Sequence, residues 1–77
     1  MWTVKIEENV VSGYMMDEDG DDLCVVSIQV NEDEFVVLSS EAPQTYGLNT
    51  YIKVLKDTFK QAGRLQNRIK KEAARVV

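Results

Sequence analysis

The chain contains no histidine, one cysteine and one proline. Without histidine it lacks the commonest general base near neutral pH and the commonest metal ligand. The lone cysteine, Cys24, cannot close an internal disulfide, which fits a reducing compartment. It has no imidazole to activate it and lies in the most apolar stretch of the chain, so it is expected to be a small core residue. No apolar run approaches the ~18 residues of a membrane span. The N-terminus lacks the basic and apolar regions of a signal peptide. These absences lead to the expectation of a cytoplasmic, non-enzymatic protein with no cofactor, no metal and no membrane attachment.

What is present is charge, and it is divided. Residues 1–47 carry eleven acids against Lys5 alone, a net of −10. Residues 48–77 carry eight bases against Asp57 and Glu72, a net of +6. Two halves of opposite sign point to a charged partner. The length, 77 residues, fits one domain. A chain of this size buries only roughly 60% of the surface exposed when unfolded, so its core is thin.

The acidic half alternates like a sheet. Trp2, Val4 and Ile6 point one way, and Thr3 and Lys5 the other. Asn9 tolerates a left-handed backbone, so residues 2–16 read either as one long strand or as two strands joined by a tight turn. The next turn, Asp17 to Asp22, is read as a three-residue loop with Gly20 left-handed. That register pairs Tyr14 with Cys24 and Val10 with Ile28. A two-residue Glu32-Asp33 loop then sets Val30 against Phe35 and Ile28 against Val37.

Residues 41–48 are a connector holding the only proline, Pro43, and Asn49 is the preferred helix N-cap, with Thr45 as the other candidate. From 49 to 76 the chain reads as an amphipathic helix. Leu48, Tyr51, Ile52, Leu55, Phe59, Ala62, Ile69, Ala73 and Val76 gather on one side, and Lys53, Lys60, Arg64, Arg68, Lys71 and Arg75 on the other.

The predicted fold is therefore α+β: an antiparallel meander over 1–40, of order ββββα or with three strands, packed on one long C-terminal helix. The expected core sets Trp2, Val4, Ile6, Val26, Ile28, Val30, Phe35 and Val37 against Leu48, Ile52, Leu55, Phe59 and Ala62. Such a helix, roughly 40 Å long, outreaches strands of about 20–25 Å, so it must bend at Gly63 or project. A first strand that overruns its neighbour gives a domain-swapped or dimeric alternative.

No motif names a reaction. Aligning the acidic turn with a calcium-binding EF-hand loop puts Met15 and Val26 at two ligand positions, so the match fails. Three surfaces remain as candidates. The first is acidic: Asp17, Glu18, Asp19, Asp21, Asp22, Glu32, Asp33 and Glu34, suited to a protein partner with a basic surface. The second is the basic helix face, Lys60, Arg64, Arg68, Lys70, Lys71 and Arg75, suited to nucleic-acid phosphates. The third is the helix end, Leu65, Ile69, Ala73 and Val76, suited to a homodimer or an assembly. Along the helix, Asp57 is spaced to balance Lys53 and Lys60, and Glu72 to balance Arg68 and Arg75. In size, acidity and lack of catalytic residues the chain resembles the small inhibitor proteins encoded by phages and other mobile elements, a likeness of bulk properties. It implies a binding module that occupies the basic groove of a nucleic-acid-handling protein in an infected cell.

Overall fold

A computed structural model describes residues 2–16, 19–40 and 48–75, with side chains at all of these except 39, 40 and 75. Asp17 and Glu18 of the acidic turn, the connector 41–47 and Val76 lie outside the described residues. Four strands precede one helix: β1 (Trp2–Glu7), β2 (Val10–Met16), β3 (Asp22–Val30), β4 (Phe35–Ser40) and α1 (Leu48–Arg75). The strands form one antiparallel sheet in the order β1-β2-β3-β4, with α1 packed on one face. This is the four-strand form of the predicted α+β meander.

Each reversal has a local cause. Glu7 pairs with Val10, leaving Glu8 and Asn9 as a two-residue loop. Such loops need a positive φ at a central residue. Glu8 supplies it, at φ 54°, and not Asn9 as the sequence suggested. Asn9 has another task. Its carbonyl accepts from Val30 N–H at 2.9 Å, and its Nδ2 donates to the Val30 carbonyl at 3.3 Å. The first turn is thereby tied to the end of β3. At the second turn Gly20 is left-handed, at φ 85°, as expected. At the third, Asn31 N–H donates to the Glu34 carbonyl at 2.8 Å, and Val30 faces Phe35 as predicted.

The β2–β3 register departs from expectation halfway along. Tyr14 faces Cys24, as predicted, but Gly13 faces Val26. Val25 is therefore an extra residue on β3, a β-bulge. Beyond it Val11 faces Ile28, and Val10 faces Gln29 instead of Ile28. The bulge brings two consecutive valines, Val25 and Val26, into the core. It leaves Cys24 half-buried beside Tyr14, with its Sγ 3.4 Å from Ser27 Oγ, outside the core where it was expected.

The helix faces the sheet through a stripe rotated from the predicted one. Val54, Thr58, Ala62 and Leu65 are buried, and Tyr51, Leu55 and Ile69 flank them. At 100° per residue this stripe is centred on Thr58, about 60° from Leu55. Leu48, Ile52 and Phe59, predicted to be core, stay exposed on one flank. Trp2, Ile6, Phe35 and Val37 are likewise exposed, while Val11, Met15 and Val25 take their places inside. Gly13 permits the arrangement: a Cβ there would strike Thr58 Oγ1 and come within 2.9 Å of Val54 Cγ1.

The helix begins at Leu48, so Asn49 lies in its first turn and is not its cap. It runs unbroken through Gly63. Glu72 points within about 40° of the buried direction, yet it is exposed. The last turn has passed the end of the sheet, which explains the elongated 49 × 18 × 17 Å shape.

Candidate protein-binding surfaces

The meander sorts its turns between two ends. The β1–β2 and β3–β4 turns share one end, bringing Glu7, Glu8, Glu32, Asp33 and Glu34 together there, all exposed. Two strand spacings separate these turns, about 10 Å. That is close to the Debye length at physiological ionic strength, so their fields overlap. The hydrogen bonds between Asn9 and Val30 hold the two turns in this relation. The β2–β3 turn carries Asp19, Asp21 and Asp22 to the opposite end, also exposed.

The helix crosses the first of these ends. Gln66 Nε2 donates to the carbonyls of Asn31 and Glu34, each at 3.2 Å. Lys70 Nζ stands 3.8 Å from Asp33 Oδ1. Both members of that pair are more than half exposed, so it is screened and worth little. Glu7, Glu8, Glu32 and Glu34 have no ion pair among the described residues. Among those residues no cluster of acids or thiols is arranged to hold a metal ion.

On the outer sheet face Lys5, Glu7, Glu8, Val10, Ser12 and Tyr14 line an open depression of about 390 Å³. The Lys5 ammonium lies 5.1 Å from the Tyr14 ring centroid, a cation–π contact. Ser12 and Ser27 share a hydrogen bond of 2.9 Å across β2 and β3. These contacts order the face.

The basic ridge runs along the helix side away from the sheet: Lys53, Lys56, Lys60, Arg64, Arg68 and Lys71 are exposed. Lys70 sits nearer β4, and Arg75 is described in its backbone alone. The expected helical ion pairs are not formed among the described residues. Asp57 turns instead to β1, where its Oδ2 accepts from the Trp2 indole N–H at 3.1 Å. Lys53 and Lys60 are left without it.

The predicted self-association surface is only partly a surface. Leu65 is buried in the core, and Ile69 packs against it. Ala73 is half-buried on the projecting turn. A different apolar surface stands open. The helix lies on β1, β2 and β3 and leaves β4 uncovered. Phe35, Val36, Val37 and Leu38 are each 43–57% exposed. Phe35 meets Phe59 edge-to-face, with ring centroids 6.3 Å apart. Between β4 and α1 runs a groove of about 180 Å³, floored by Ile28, Val30 and Ala62. Sequence reasoning placed Phe35, Val37 and Phe59 inside. No signal in the sequence sets β4 apart: its apolar run 35–38 does not alternate, but neither does the run 23–26 of the central strand β3.

No family model, curated protein or solved structure matches the chain at a significant level. No helix among the described residues is long and apolar enough to cross a membrane.

Proposed function

We propose that this chain is a non-enzymatic protein-binding module that presents its acidic hairpin turns to a basic surface of another protein. One observation carries the reading: Glu7, Glu8, Glu32, Asp33 and Glu34 are exposed on two adjacent turns that hydrogen bonds hold together. Like charges crowded at one end of a small sheet weaken the fold slightly, and a cationic partner relieves that repulsion. A rigid array of carboxylates also speeds encounter with a basic groove and fixes orientation there. Proteins that handle nucleic acids have such grooves, so occupying one amounts to inhibition.

The test is capture of the partner from cytosol, with identification by mass spectrometry. Replacing Glu32, Asp33 and Glu34 together by Lys should weaken capture at least about tenfold, the equivalent of roughly 1.4 kcal/mol. Raising salt should act in the same direction. The captured protein should be basic. Capture that is indifferent to both the reversal and salt would sink the reading.

A second reading rests on Asp57. Because Trp2 engages that carboxylate, the ridge cations Lys53 and Lys60 remain open to phosphates. If the ridge binds nucleic acid, the affinity should fall steeply with salt. It should also be lost in Arg64→Ala combined with Lys71→Ala. A gel shift unchanged by those substitutions removes this alternative.

A further inference from the structure

Among the described residues, the unguarded edge of this sheet is β4. Edge strands are ordinarily protected by charges, proline, coverage or a bulge, because unpaired backbone N–H and C=O groups invite another strand. The other edge, β1, carries Lys5 and Glu7 on its outer face. From Phe35 to Ser40, β4 carries no charge and no proline, and the helix does not cover it. Its one bulge falls at Leu38, between the Ser27–Ser39 and Ile28–Val37 pairs, and leaves 35–37 regular.

We infer that β4 pairs antiparallel with β4 of a second copy of this chain, making a two-fold dimer with one continuous eight-stranded sheet. Three observations select a second copy. First, the strand is self-complementary. A two-fold axis at Val36 sets Val36 against itself on the outer face and Phe35 against the second copy's Val37 on the helix face. Both pairs are apolar, and neither uses the bulged residue. Second, the charge permits only this direction. Each Glu32-Asp33-Glu34 turn adjoins the start of β4, so antiparallel pairing holds the two turns at least about 14 Å apart. Parallel pairing would set them side by side.

Third, the apolar area on offer reaches interface size. The exposed parts of Phe35, Val36, Val37, Leu38, Phe59 and Ile52 amount to roughly 600 Å² per copy. Two copies that covered all of it would bury about 1,200 Å², the lower bound for a specific interface. With α1 lying over β1, β2 and β3 and centred on β2, the two helices would stand about five strand spacings apart, or ~24 Å. Phe59 of each copy leans into that gap, edge-to-face with Phe35.

The test is sedimentation at rising concentration with the full chain. The wild type should pass from 8.8 kDa to twice that mass. Val36→Lys places two ammonium groups opposite each other at the axis, and Val36→Glu places two carboxylates there. Each variant alone should dissociate at least about tenfold more readily than the wild type, and an equimolar mixture of the two should restore the dimer. Position 36 is half-exposed and outside the core, so each variant should keep the wild-type circular dichroism spectrum, which is the check that it is folded. A wild type still monomeric at about 1 mM overturns the inference and leaves the edge for another protein's strand. A dimer indifferent to both variants overturns it by placing the interface elsewhere. A mixture that stays monomeric overturns the antiparallel register. None of these outcomes bears on the acidic turns, which lie outside the substituted strand.

Discussion

Gly13 stands where the sheet meets the helix, with Thr58 and Val54 directly against it. A β-carbon at this position has no space, so Gly13→Ala must push α1 off the sheet or distort the bulge. Overpacking of this kind costs about 1–3 kcal/mol, a large share of the stability of so small a domain. Chemical denaturation should show a fall of that size. Thr58→Ala removes the struck hydroxyl, and its combination with Gly13→Ala should recover about 1 kcal/mol relative to the sum of the single changes. Strict additivity would mean that the two residues do not meet. Thr58 itself is fully buried because its hydroxyl donates to the Val54 carbonyl at 2.7 Å, so no polar atom is stranded. A glycine within a strand pattern signals a bulge or a close approach, and Gly13 turned out to mark both. The identity of the atom above it is a fact of two distant segments meeting, and no local pattern contains it.

Among the elements, α1 was the most legible and still misplaced by about 60°. Its apolar face is wide, and hydropathy centred it on Leu55, using Leu48, Ile52 and Phe59. The sheet instead takes Val54, Thr58, Ala62 and Leu65, because Gly13 opens a slot that a helix ridge of small and β-branched side chains fills. Threonine is not counted as apolar, so the pattern undervalued the position that became central. The β3 register failed for a similar reason: alternation cannot anticipate an inserted Val25, which becomes apparent only when Gly13 and Val26 are paired. Gly63, by contrast, lies inside an unbroken helix, and a β-carbon added there would meet nothing within 4 Å. Gly63→Ala should stabilise the protein by about 0.5–1 kcal/mol through backbone entropy alone. For a domain this small the melting temperature should rise by roughly 2–8 °C. A fall would mean that the groove beside Phe59 needs the open position.

For the whole molecule the governing fact is the separation of charge from apolar surface. Acidic turns occupy both ends of the sheet, the cationic ridge follows the helix, and the exposed apolar strip runs down β4 between them. The acidic-end reading and the β4 dimer use different surfaces, so salt should weaken the first and leave the second largely intact. Composition and spacing already determined the α+β class, the acidic turns, the long helix and the opposite signs of the two halves of the chain. These follow from short-range periodicity and from counting, which a linear chain carries in full. Tertiary structure alone decided which third of the helix is buried, that Cys24 leaves the core, that Asp57 answers to Trp2, and that the helix leaves β4 uncovered. Each depends on how a 28-residue helix settles across three of the four strands, and that is set by the site without a side chain beneath it, Gly13, and by the bulge facing it.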